Sequence, residues 1–392
     1  VEESTFSFDE GKVSVIIPCY QHGHFLPQAI ESVLKQTYQL TEIIIVNDGS
    51  TDNTHEIGTS YAQKYPGRIK YIQQQQQGQV KARKRATSLA RGEFWLTLDA
   101  DDLLEDQMLE QCVQVLLDNP DAAVVASDVW IVAPDGKTII DKLEQNKLPS
   151  WPDILSHNPL GGIAGILLRA EAVQKVGGLG FVGAENYPGA EDWDLWIRLV
   201  KARMKFLHIP RCLARYRQTS SSHSRKALDV LRGILLVLEY LKSEDPRLGQ
   251  VLEPYPPINT SLYNLLRNRA VFLTYGIACA AGEAEETLKK ILDYFVPSVI
   301  DVQLFSQSFL GGINRQILPT GKDCLARDIY AQSFQLLENY LKPKVSVNTY
   351  DLLISTIEAQ IALRQKRDSQ WYRMLKKRFS NLLNTLRLQF LT

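Results

Sequence analysis

Apolar and polar positions follow two alternating rhythms over the first hundred residues. VSVIIPCY (Val13–Tyr20) begins with a continuous β-branched run, and TEIIIVNDGS (Thr41–Ser50) contains another that ends in turn residues. Each run has the pattern of a strand buried on both faces. Between them FLPQAIESVLKQT carries apolar residues at helical spacing, and TDNTHEIGTSYAQKY predicts a second helix with Thr51 or Asp52 available as its cap. RIKYIQ predicts a short third strand, GQVKARKRATSLARG a basic helix closed by Gly92, and EFWLTL a fourth strand. Strands alternating with helices of this length predict a parallel sheet built from right-handed crossovers. Ligands of such sheets sit outside the carboxyl ends of the strands. Here those ends carry Pro18–Tyr20, Asn47-Asp48 and Asp99–Asp102.

Further along, a helix is predicted from Asp106 to Asn119, a strand at AAVVASDVWIV and a hairpin turn at PDGKTI. The span 148–189 is rich in Pro and Gly, a composition that suits loops approaching a ligand or moving over it. EDWDLWIRLVKAR then predicts a helix with acidic residues in its first turn, where the helix dipole favours them. Beyond about residue 225 the pattern becomes Leu-rich and helical, broken at EPYPPIN, GEAEE and LKPKVSVNT. The expectation is an α/β domain over 1–225 and an all-α domain over 226–392.

Composition narrows the class. The 392 residues exceed the size at which one core usually stops growing, so two domains are expected. Lys+Arg and Asp+Glu balance at 44 each, which gives no electrostatic reason to expect a nucleic-acid partner. No apolar run reaches the roughly 18–20 residues that span a bilayer, and the acidic, polar VEESTFSFDE does not resemble a signal peptide. The five cysteines are scattered without metal spacing, as expected of free thiols in the cytosol. From 362 to 392 eight basic residues face one acidic, and Trp371, Leu375, Phe379, Leu382 and Leu386 recur at helical spacing. Such a helix either docks on its own domain or lies peripherally on an anionic membrane surface.

The chemistry concentrates in FWLTLDADDLLE (Phe94–Glu105), an apolar strand running into Asp99, Asp101 and Asp102. Carboxylates so close repel one another and suit a hard divalent ion, Mn²⁺ or Mg²⁺, shared with substrate phosphates. Taken alone, DADD serves equally well as a solvated loop capping the next helix. Its neighbours shift the balance. VSVIIPCYQHGHFLPQAIESVLKQTY, EIIIVNDGSTDNT, GQVKARKRATSLARGEFWLTLDADD and GAEDWDLWIRL occur in that order. Together they resemble the family 2 glycosyltransferases over about residues 12–225. The resemblance implies a GT-A fold, a mostly parallel (mixed) sheet flanked by helices, and inverting sugar transfer from a nucleotide diphosphate donor.

It also implies roles. Tyr20, with Pro18 before it, looks like the residue that stacks on the nucleobase. Asp48 looks like the acceptor of the base N3–H, which favours uracil or thymine; a UDP-sugar is the expected donor. Arg83 matches an arginine that reaches the nucleotide; otherwise it is a solvated helix cation. Asp99 looks like the carboxylate facing the ribose or a metal-bound water, and Asp101 like the metal ligand, with Asp102 able to share that duty. Asp192 matches the general base that takes the acceptor hydroxyl proton, with Glu191 as the alternative. Trp193 and Trp196 lie on one helical face and suit core packing or sugar stacking.

Two departures qualify the resemblance. The Gln-x-x-Arg-Trp signature of processive members is absent, so one transfer per encounter is expected. The family histidine after YR is replaced by Thr219, and the nearest histidine, His223, comes four residues later as a candidate metal ligand. The acceptor expected is a glycan or a lipid-linked saccharide. A non-catalytic sugar-nucleotide or glycan-binding module and a nucleotidyltransferase are the alternatives. The latter calls for a Gly-rich, basic phosphate loop after the first strand, which PCYQHGHF is not.

Overall fold

A computed structural model describes residues 7–180, 190–219, 226–243, 245–248, 255, 257–281 and 283–296, with scattered positions from 301 to 353. Two compact units divide the chain: Val1–Ser222 together with Glu239–Ile258, and His223–Leu238 together with Asn259–Thr392. The first unit therefore includes a segment that follows the start of the second, which a single cut near residue 225 does not capture.

The first unit is built on a mixed nine-stranded sheet. Strands β1 (Asp9–Cys19), β2 (Thr41–Asp48), β3 (Ile69–Gln74) and β4 (Gly92–Thr97) run parallel in the order β3-β2-β1-β4. They alternate with α1 (Leu26–Leu34), α2 (Thr54–Lys64) and α3 (Gln79–Thr87). Val13, Val15 and Ile17 of β1 and Phe94 and Leu96 of β4 share a buried cluster with α1 and with Met108, Leu109 and Cys112 of α4 (Met108–Asp118). Helix α3 packs on β1 and β2 outside that cluster, so the sheet is covered on both faces, which explains the unbroken apolar runs. Helix α3 ends at Thr87, a turn before Gly92, and Gly92 opens β4 instead of closing the helix. A Cβ there would lie 2.6 Å from the Lys12 carbonyl and the Ser14 amide, so only glycine lets β1 and β4 approach.

The sheet continues with β5 (Leu103–Leu104), β6 (Ala122–Val132), β7 (Ile139–Leu143), β8 (Ile166–Arg169) and β9 (Lys205–Arg217). The PDGKTI segment turns between antiparallel β6 and β7. Strand β9 has no counterpart among the sequence-derived elements. Its register against β6 shifts between Ile209 and Cys212, around Pro210, which breaks the periodicity a sequence reading relies on. Helix α5 (Ala170–Lys175) leads through the Gly177-Gly178 turn, and α6 (Glu191–Lys201) buries Trp193 and Trp196 in the core. Trp193 donates its indole N–H to the Ile154 carbonyl at 2.8 Å, and Trp196 meets Phe206 edge to face. Both tryptophans pack; neither offers a free face for a sugar.

The described part of the second unit is helical: α7 (Ala227–Tyr240), α8 (Thr260–Ala281) and α9 (Glu285–Leu292). Its core includes Phe272 and Phe305, stacked with ring centroids 5.0 Å apart, with Tyr275 and Phe309 beside them. Among the described residues no helix is long and apolar enough to cross a membrane. The basic segment 362–392 lies outside them.

Candidate active site

The parallel strands deliver the sequence-derived residues to one end of the sheet. Tyr20 follows β1 with 42% of its surface exposed, so it does not pack in the core and has a face free for stacking. Pro18 pairs with Val46 near the end of β1, where its missing N–H costs the ladder little. Asp48 ends β2 and is buried. Its carboxylate accepts from Gln74 Nε2 at 2.7 Å and from the Gln77 and Gly78 amides at 2.8 and 2.7 Å. It thus shapes the turn that leads into α3. A carboxylate offers about four acceptor positions, so one remains for a ligand donor.

After β4 the acidic residues diverge. Asp99 accepts from Gln79 Nε2 at 2.8 Å and from Arg83 at 2.6 Å. Asp102 turns inward, buried, and accepts the Arg217 backbone N–H at 2.9 Å. Burial, then the charges of Asp101 and Asp99, push its carboxyl well above the usual range. Asp101 retains a partly open side chain, with His22 Nδ1 at 4.0 Å. Burial and the neighbouring Asp99 raise its carboxyl as well. Arg217 ties this loop down: Nε donates to the Asp101 carbonyl at 2.7 Å, and the guanidinium lies 4.3 Å over the Phe25 ring. Arg217 carries no signal in the sequence, because nothing in RYR distinguishes a buried arginine from a solvated one.

These residues fit a divalent cation. The donors are hard carboxylate oxygens, and a crowded pair with raised pKa values is what a cation would relieve. Among the described residues no three His, Cys, Asp or Glu side chains gather closely enough to hold an ion by themselves. An ion of the Mg²⁺ kind is commonly completed by substrate phosphates. His223 lies outside the described residues, as do 181–189 of the Pro/Gly-rich span.

Arg83 links this end of the site to α6. It is buried, not a solvated helix cation, and pairs with Asp99 at 2.6 Å and with Glu191. Burial disfavours its charge, but the two carboxylates outweigh that and hold it protonated. Asp192, next to Glu191, accepts from Asn158 Nδ2 at 2.7 Å and from the Trp193 amide at 2.8 Å. Beside Arg83, Glu191 and Asp192 lies a small cavity walled by Val80, Ile163, Leu179 and Leu195. Burial against this wall, then the charge of Glu191, pushes the Asp192 carboxyl up to about 6. Such a group is ionised at neutral pH yet basic enough to take a proton. Asn158 carries no sequence signal, since it meets Asp192 only through the fold.

Comparison with known proteins bears on family and fold. Residues 14–161 match the model of glycosyl transferase family 2. Glycosyltransferase GlyG of Streptococcus pneumoniae is 36% identical over 119 residues, 30% of this chain and 39% of that protein. The uncharacterized glycosyltransferase YibD of Escherichia coli K12 is 37% identical over 149 residues, 37% of this chain and 43% of its own. The chain therefore spans less than half the length of either. The crystal structure of S. aureus TarS 1-349 in complex with UDP-GlcNAc superposes with a TM-score of 0.54 at 15% identity, covering 84% of this chain and 92% of that one. This likeness is one of fold. Over residues 14–161 the chain is thus similar to glycosyl transferase family 2.

Proposed function

We propose that the protein is a metal-dependent, inverting, non-processive glycosyltransferase that moves a sugar from a UDP-sugar to a hydroxyl of a glycan or a lipid-linked saccharide. The observation that carries this reading is the Arg83 bridge, which joins Asp99 at the strand ends to Glu191 beside Asp192. One guanidinium thus spans the candidate donor carboxylate and the residue next to the candidate base. GlyG and YibD, both named glycosyltransferases, and the UDP-GlcNAc complex of TarS support a nucleotide-sugar donor.

In this reading Tyr20 stacks on the base and the remaining acceptor position of Asp48 takes its N3–H. Asp101, with Asp99 or Asp102, would hold a Mn²⁺ or Mg²⁺ ion, which stabilises the departing diphosphate when bound. Asp192 takes the proton of the acceptor hydroxyl as that oxygen bonds to the sugar C1. The C1–O bond to the diphosphate breaks on the opposite face, and UDP departs with its electron pair. Asn158 holds the Asp192 carboxylate in orientation, and the apolar cavity keeps it poorly hydrated.

Calorimetry with UDP-, dTDP- and GDP-sugars in Mn²⁺, on wild type and Asp192→Asn, tests the proposal. Wild type is expected to bind a UDP-sugar and release UDP; the variant is expected to bind equally and release little. Tight donor binding with no transfer across a broad acceptor panel would favour a binding module. Absence of donor binding would defeat both readings.

A further inference from the structure

The first turn of α6 presents Glu191 and Asp192; Ala190 precedes it in a left-handed conformation and supplies no side-chain cap, and the first-turn amide of Trp193 is met by Asp192 itself. Behind it lies a dense buried ionic network. Asp194, two residues after Asp192, accepts from Arg247 through both oxygens, at 2.9 Å from Nη1 and 2.8 Å from Nη2. Asp194 also accepts from Arg198 Nε at 2.9 Å. Arg198 in turn donates to the carbonyls of Val176 and of Gly178, the latter at 2.9 Å. Asp245 accepts from Arg247 Nε at 2.8 Å and Nη2 at 2.6 Å, which fixes the guanidinium from its other edge. The side chains of Asp194, Arg247 and Asp245 are only 3–5% exposed. The segment carrying Arg247 runs so close to the Gly177 turn that a Cβ on Gly177 would lie 2.8 Å from the Arg247 Cβ.

We propose that Arg247 is a positioning residue for Asp192: its two-point grip on Asp194 holds the start of α6, and so the base, in reach of the acceptor. The inference rests on Asp192 as the base. It follows that residues 245–248 belong functionally to the catalytic unit although they come after α7 in the chain. A planar guanidinium bonded at both edges fixes orientation as well as charge, whereas an ammonium supplies charge alone.

The test uses the full chain with Mn²⁺ and UDP-glucose or UDP-N-acetylglucosamine, following donor affinity by calorimetry and turnover by UDP release. Arg247→Lys keeps the buried charge balance and removes the fork. Its turnover is expected to fall at least about tenfold, since small misplacements of a catalytic group cost up to about a hundredfold. Donor Kd is expected to stay within about threefold of wild type. A general loss of structure would instead lower the binding-competent fraction and turnover together. Should Arg247→Lys fail to fold, the neutral pair Asp194→Asn with Arg247→Gln is read in the same way. Unchanged turnover in a folded variant overturns the proposal, as do parallel losses of turnover and affinity. If Asp192→Asn keeps full turnover, the base assignment and this inference fall together. If Asp192→Asn is inactive while Arg247→Lys is fully active, only the grip is overturned.

Discussion

Asn158 donates to Asp192 across 2.7 Å, joining residues 34 positions apart, and this bond together with burial makes the candidate base. The hydrogen bond favours the ionised carboxylate, but burial and Glu191 outweigh it and leave the group titrating near 6. Turnover is therefore expected to fall as pH drops through about 6, when Asp192 takes up a proton and can no longer accept one from the acceptor. A rate profile flat from pH 5 to 8 would contradict this.

The same shift makes a prediction about stability with a definite sign. The folded pKa of Asp192 lies above its ordinary value of 3.8, so the folded state holds the proton more tightly than the unfolded chain. The ionised carboxylate thus destabilises the fold above about pH 6, and the penalty fades as pH falls toward 4. Asp192→Asn is expected to be more stable than wild type at pH 7.5, by up to about 1–3 kcal/mol, with the gain vanishing near pH 4. Its turnover is expected to drop by at least about a hundredfold. Thermal melts across pH, beside UDP release, measure both.

Asp101 and Asp102 are adjacent but face different partners, and their substitutions should separate. Asp101→Ala removes a crowded charge, so metal-dependent UDP binding is expected to disappear while the melting temperature holds or rises. Asp102→Ala strips the buried Arg217 amide of its acceptor. A loss of about 1–3 kcal/mol in stability is expected there. If Asp101→Ala binds UDP in Mn²⁺ as wild type does, the metal assignment fails.

Asp48→Ala removes the acceptor of three donors that shape the turn before α3. Binding of every nucleoside diphosphate is expected to weaken, with UDP losing more than GDP because the base contact is lost as well. Calorimetry with both nucleotides isolates the excess. Equal losses would leave Asp48 a purely structural role.

Arg83→Met leaves Asp99 and Glu191 without their shared cation. Breaking a buried pair by removing one partner costs about 3–5 kcal/mol. Partial exposure of Asp99 lowers that here, and a stability loss of about 1–3 kcal/mol is expected, with donor affinity and turnover falling together. The contrast with Asp192→Asn, where binding is spared, separates a bridge from a base.

The parallel half of the sheet was legible in the sequence because its strands are buried on both faces and end in turn residues: the runs at Val13 and Ile43 have no other economical reading. The placement of Tyr20, Asp48 and Asp99–Asp102 at one end of that sheet follows from parallel topology alone. The register shift at Pro210 hides strand β9 from local pattern, and the end of α3 is not legible because Gly92 reads equally as a helix stop or a close strand approach. What each carboxylate touches was beyond the sequence altogether. Asp102 and Asp101 are neighbours of identical chemistry, and only the return of β9 assigns one to the Arg217 amide. Asn158, Arg83 and Arg247 reach α6 from 34, 108 and 53 positions away. Local pattern records which residues face a core; the partner of a buried charge is chosen by tertiary packing, because desolvation penalises the charge until some distant group satisfies it.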